Sequence, residues 1–151
     1  MALAFMTGLP SVTIAAIVGA EWETVMAETT FMKVDDLEGD AREPRNYVGW
    51  FKVEKFAWVR AENIKFGEGT DVDAIITIAG GKYASPFYKL RTSGEPINRI
   101  EVHVLERGDI QQTIELQDVY VNDYARAGET KLKTQLIELT LNASRAMIKG
   151  G

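Results

Sequence analysis

The chain has no cysteine. That removes disulfide frameworks, thiolate nucleophiles and cysteine metal sites together, and it suits a reducing cytoplasm. There is one histidine, His103, so histidine metal centres and Ser/His triads lack material. Lys and Arg number 17 against 22 Asp and Glu, a net charge of -5. A general grip on nucleic acid needs clustered basic residues and is not supported. The uncharged N-terminal stretch is too broken by Gly8, Pro10, Ser11 and Thr13 for a good transmembrane helix, so membrane insertion is not expected. What remains is ordinary globular material. The length fits one domain, and three Trp, five Tyr and six Phe are enough for a core.

The first residues allow three readings. A signal peptide fits the small residues around Ala15, Ala16, Gly19 and Ala20, but there is no basic n-region. An ordered extra segment is a second reading. The favoured one takes Met26 as the start, with residues 1–25 a leader or mis-assigned start and residues 26–151 a single domain.

The stretch 97–121 organises the rest. Ile100, Val102 and Val104 alternate with Glu101 and His103, a period of two that marks a half-buried strand, with Leu105 an apolar exception. Arg107, Gly108 and Asp109 supply the turn. Ile114 and Leu116 share one face of the return strand. The phase then slips to Val119 and Val121, which predicts a β-bulge near Gln117 and Asp118. A hairpin alone is marginal in water, so other strands must cover it. They are expected at 29–34, 47–55, 56–66, 88–91 and 132–147, with polar loops at 92–96 and 122–130. Trp50, Phe56 and Trp58 share a face if the middle strand is continuous.

One helix is expected from Thr70 or Asp71 to Ala79. Val72, Ile75, Ile76 and Ala79 form an apolar stripe, Asp71 and Asp73 suit the helix start, and Gly80 and Gly81 end it. The β-branched run 75–78 leaves a strand open. The sum is mainly β: a small closed or nearly closed antiparallel β-barrel with one flanking α-helix, because closure hides the edges of long strands.

Sites with chemistry are few. His103 could act as a general base, but no partner spacing supports it, and a surface or interface histidine fits better. Asp35, Asp36, Glu38 and Asp40 offer oxygen ligands for calcium. Their spacing departs from a calcium loop, which favours a solvated turn. Gly67 and Gly69 lack the further glycines and Lys of a phosphate loop and read as a hinge or turn. Tyr47, Trp50 and Trp58 could form a ligand platform, against the simpler reading of buried aromatics. No catalytic, cofactor-binding or metal residue is assigned, and enzyme is the weaker class.

Several segments together resemble the haemolysin-coregulated protein (Hcp) family, the tube subunit of bacterial type VI secretion. MAETTFMKVDDLEGD at 26–40 is similar to the family's opening strand and turn, and VEKFAW at 53–58 to its aliphatic-to-Trp strand. IITIAGGKY at 75–83 looks like the end of its helix and the turn after it. The stretch 97–121 resembles its long hairpin, and 134–143 its closing strand. The order and spacing over 26–147 carry the resemblance. The segment 60–70 is short where the family often has a Gly-rich insertion, and residues before Met26 have no counterpart.

The resemblance implies homohexameric rings stacked into a tube, with sheath and spike proteins as further partners. Effector proteins would travel in the lumen, and the subunit would assemble in the cytoplasm and then be secreted. It implies no catalytic residue and no cofactor. A related phage-like tail tube of another contractile injection system fits equally, and a monomeric ligand-binding β-barrel is the alternative from another class. In the family, the segment after the Trp strand reaches toward the neighbouring ring. Here that place holds Glu62, Asn63, Ile64, Lys65 and Phe66, which mix charged and apolar groups as an interface patch does.

Overall fold

The computed structural model describes residues 28–62 and 64–150. The expected leader at 1–25 lies outside them, as does Asn63. Six strands follow in order: β1 (Glu28–Val34), β2 (Phe51–Arg60), β3 (Glu68–Ala79), β4 (Ile97–Glu106), β5 (Asp109–Glu129) and β6 (Gln135–Gly150). One helix, α1 (Ser85–Ser93), lies between β3 and β4. The sheet runs β1-β2-β3-β6-β5-β4, and β4 pairs back onto β1 to close a barrel in which all neighbours are antiparallel. The expected class is therefore the observed one, but four segments differ from expectation.

Residues 70–79 form a strand rather than the helix. The sequence there satisfies two periods at once, and Ala74 and Ile78 decide between them. Val72, Ala74, Ile76 and Ile78 are all buried at a spacing of two, and the β-branched run pairs with both β2 and β6. The helix instead takes residues expected as a strand. Pro86 sits in its first turn, where the missing amide costs nothing. Gly94 closes it in the left-handed region (φ 75°), donating its N–H to the Leu90 carbonyl at 3.0 Å. The two strands expected at 47–55 and 56–66 are one, β2, with Arg45–Tyr47 a short 3-10 turn before it. A register shift between Val53 and Lys55 lets Phe51 and Val53, then Phe56 and Trp58, face inward. The polar loop expected at 122–130 is largely a continuation of β5. It pairs with β6 only, and one free edge explains its polarity.

The interior is filled. Met32, Phe51, Ile76, Ile78, Ile100, Ile114, Leu116, Leu139 and Leu141 are fully buried. Phe87 of α1 reaches into the same core, edge-on to Phe51 at 5.3 Å between ring centres. The helix is also held against the unpaired part of β5, through Tyr88 on Tyr124 and Arg91 on Asp123.

The phase slip at Gln117 and Asp118 is present, but not as a local bulge. Asp118 is left-handed (φ 51°), yet register is kept on both sides: Arg99 with Gln117 and Ile97 with Val119, then Gln117 with Arg145 and Val119 with Ala143. Every neighbour slips at the same level. Buried residues are three apart, not two, at Ile97 and Ile100, Leu116 and Val119, Ala143 and Ala146, and Gly69 and Val72. Asn98, Asp118, Ser144 and Asp71 (φ 52°) fall on one line across β4, β5, β6 and β3. Four strands thus share one crease, and each turns two consecutive residues outward there.

At the barrel end where β1 begins, Glu28 pairs across from Glu106. Desolvation, and then the Glu106 carboxylate, push the Glu28 carboxyl up to about 6 from an ordinary 4.5. The folded chain therefore holds that proton more tightly than the unfolded one. Its contribution is fully present below pH 4.5 and is lost as pH rises through about 6. Glu28→Gln is expected to flatten the fall in stability over that window. Urea titrations at both ends of it check this, and an unchanged pH slope would sink the assignment.

Candidate functional site

Residues 35–50 fold over the outer face of β1 and β4. Phe31, Ala41, Tyr47 and Leu105 form a second buried cluster there, with Trp50 against it. Tyr47 stacks on Phe31 at 4.5 Å and meets Trp50 edge-on at 4.8 Å. Leu105, the apolar exception in the β4 alternation, is thereby explained. Tyr47 and Trp50 do come together, but Trp58 packs elsewhere, beside Phe56 at 5.0 Å and against the barrel core. The three aromatics form no common platform.

His103 belongs to this cluster and is mostly buried rather than a plain surface residue. Its Nε2 lies 2.7 Å from Glu101 and its Nδ1 lies 2.9 Å from the Tyr47 hydroxyl. An ionised carboxylate only accepts, so Nε2 carries the hydrogen, and in the neutral imidazole Nδ1 is then the acceptor for the Tyr47 hydroxyl. Arg99 extends the chain to Glu101 at 3.0 Å and Glu115 at 2.9 Å, and Gln117 donates to Glu115 at 3.0 Å. The Gln117 and Arg99 bonds hold the Glu115 carboxyl below its usual range. The Tyr47–His103–Glu101 order has the outline of a proton relay. Desolvation and the Glu101 charge push the Tyr47 hydroxyl above its usual range, so at neutral pH it is a neutral hydrogen-bond donor and a poor nucleophile. The arrangement clamps the 35–50 loop to the barrel.

On another outer face, Arg60 donates to Asp71 at 3.0 Å and Asp73 at 2.9 Å, and Asn142 donates to both. Asp71 and Asp73 thus pin β2 and β6 to β3 instead of starting a helix. Among the described residues no group of three or more His, Asp or Glu is placed to hold a metal, and no helix is long and apolar enough to cross a membrane.

The segment expected at an interface is a tight turn between β2 and β3. Lys65 and Glu68 exchange backbone hydrogen bonds, with Phe66 (φ 53°) and Gly67 (φ 83°) left-handed between them. This is the geometry of a two-residue hairpin turn, in which a bulky aromatic at the first position is disfavoured. The Gly67 carbonyl accepts the Ile148 N–H at 2.6 Å, tying the turn to β6. A side chain at Gly67 would meet the Ile148 carbonyl oxygen at 2.6 Å, so glycine is required there. The turn separates the expected site residues. Ile64 turns inward and packs against the core, while Phe66 is fully exposed. Glu62 and Lys65 stay at the surface.

No family model and no curated protein matches this sequence. Solved structures do. Hcp1 from Salmonella typhimurium aligns with a TM-score of 0.67 at 17% identity, covering 83% of this chain and 87% of that one. A type VI secretion system effector from Yersinia pestis aligns at 0.64 and 15% identity, covering 81% and 99%. The secreted protein Hcp3 from Pseudomonas aeruginosa aligns at 0.59 and 14% identity, covering 82% and 89%. At these identities the likeness is one of architecture, spread over nearly the whole of each partner: the chain carries the Hcp fold of type VI secretion proteins.

Proposed function

We propose that this chain is a structural tube subunit of a type VI secretion system. Identical copies close into homohexameric rings, and the rings stack into a tube that assembles in the cytoplasm and is secreted. Sheath and spike proteins would be its other partners, with effector proteins carried in the lumen. The observation that carries the reading is the fold likeness to Hcp proteins over four-fifths of the chain. Two features support it. The barrel interior is packed with side chains, which disfavours a monomer built to hold a small ligand. And Phe66 is held in a disfavoured backbone conformation with its ring in solvent, a cost that a subunit contact would offset.

The test is assembly of the full chain by light scattering and electron microscopy. Rings are expected at micromolar concentration, and a monomer throughout that range would overturn the reading. Within it, Phe66→Ser is the informative variant of the 62–66 segment, because Ile64 also serves the core. It should leave melting unchanged and weaken association by about tenfold or more. Wild-type assembly by Phe66→Ser would remove the segment from the interface.

A further inference from the structure

Phe66 and Leu132 are the two most exposed large apolar side chains among the described residues, Leu132 at 89%. Each stands at the tip of a turn that is held rather than loose. The Phe66 turn is closed by Lys65 and Glu68 and tied to Ile148. In the turn between β5 and β6, the Thr130 hydroxyl accepts the N–H groups of Leu132 at 3.2 Å and Thr134 at 3.1 Å. The Thr130 N–H donates to the Thr134 carbonyl at 2.9 Å, and Lys133 is left-handed (φ 67°).

Strand β6 joins the two tips. It leaves the Leu132 turn at Gln135, which pairs with Glu129, and reaches the Phe66 turn at Ile148. At 3.2–3.4 Å per residue the tips are separated by roughly 40 Å of strand. They cannot meet within one chain. Their surroundings are complementary: Glu62 and Glu68 flank Phe66, with Lys65 between them, and Lys131 and Lys133 flank Leu132.

We propose that the Phe66 turn of one copy seats on the Leu132 turn of the next, head to tail, with the lysines facing Glu62 and Glu68. This rests on the tube-subunit reading and names the counterpart of its contact. A heterologous contact of this kind propagates from copy to copy. It has an apolar centre and a charged rim, and the rim charges fix polarity, because tail-to-tail pairing would oppose lysine to lysine.

The experiment compares full-length variants by sedimentation velocity and electron microscopy. Leu132→Ser should weaken assembly about tenfold, as Phe66→Ser does, with melting unchanged. Lys131→Glu with Lys133→Glu should weaken it similarly. Adding Glu62→Lys and Glu68→Lys to that pair should return assembly to within about threefold of wild type, because the rim charges are exchanged rather than lost. The Glu68 contact with Arg145 is long, 3.6 Å, and exposed, so its loss should not obscure the rescue. If the wild type assembles while the Leu132 and lysine variants match it, or if the exchange fails to rescue, this contact is wrong and the tube reading stands. If the wild type never assembles, the tube reading fails, and this contact with it.

Discussion

Leu139→Asp is expected to yield no folded protein. Leu139 is 0% exposed. It pairs with Ile76 on one side and Tyr124 on the other, and Ile137 and Leu141, two residues away, are buried with it. Removing a buried leucine costs roughly 2–5 kcal/mol. Placing an unpaired carboxylate there adds several more, or forces it to stay protonated. Together that approaches or exceeds the ~5–15 kcal/mol that separates a typical domain from its unfolded chain. Leu139→Met is the control, since a volume-conserving exchange costs less than about 1.5 kcal/mol. Circular dichroism and gel filtration read the result. A soluble Leu139→Asp protein with the parental spectrum would mean this residue does not face the interior.

Gly39→Ala is expected to give the largest loss of any single added methyl group in the 35–50 loop. A Cβ there would lie 2.3 Å from the carbonyl carbon and oxygen of Trp50 and 2.5 Å from the Phe51 nitrogen. These are backbone atoms, so no side-chain rotation relieves the clash. Three hydrogen bonds zip the loop together at this point: Gly39 N–H to Gly49 at 2.7 Å, Gly49 N–H to Ala41 at 3.0 Å, and Ala41 N–H to Trp50 at 2.9 Å. Moving the backbone apart breaks that ladder and lifts Tyr47 off Phe31 and His103. The expected cost is about 3 kcal/mol, at the upper end of overpacking effects, or a fall in melting temperature on the order of 10 °C. Gly49→Ala is the comparison. It is left-handed (φ 88°) but has open space around it, so it should cost only about 1–2 kcal/mol. Equal melting temperatures for Gly39→Ala and the parent would show that residues 35–50 do not close over the barrel in this way.

The central hairpin was legible because Ile100, Val102 and Val104 alternate cleanly, and because Gly108 beside Asp109 supplies turn chemistry. At β3 two rules compete, because Val72, Ile75, Ile76 and Ala79 make a helical stripe while Val72, Ala74, Ile76 and Ile78 alternate. Which period wins is decided by the two flanking strands, β2 just before it and β6, which is distant in sequence. Helix α1 hid for the opposite reason. Only Phe87 in it is fully buried, so it shows no stripe, and its signals are Pro86 and Gly94 at its ends. The second half of β5 read as loop because a strand paired on one side can be polar throughout. Around the candidate site, composition marked Ile64 and Phe66 alike as apolar among charges. Their separation into one inward and one outward side chain depends on left-handed angles at Phe66 and Gly67. Leu132 reads as the first residue of the last strand, but that strand begins at Gln135 and Leu132 sits in the turn before it. The clamp on His103 was equally hidden, because Tyr47 lies 56 residues away in sequence.

The crease across β3, β6, β5 and β4 ties the lengths of four strands together. Each carries one surplus residue at the same level: Asp71, Ser144, Asp118 and Asn98. Deleting Asp118 alone would restore plain alternation to β5 while its neighbours still step by three. If β5 then kept its pairing with those creased neighbours, every residue beyond that point would change face, sending Val119 outward and Tyr120 inward. Deleting all four would keep every face and merely straighten the sheet. Insertions and deletions at this level are therefore tolerable only as a matched set of four, whereas a substitution at any one of these outward positions leaves the faces of all four strands where they are.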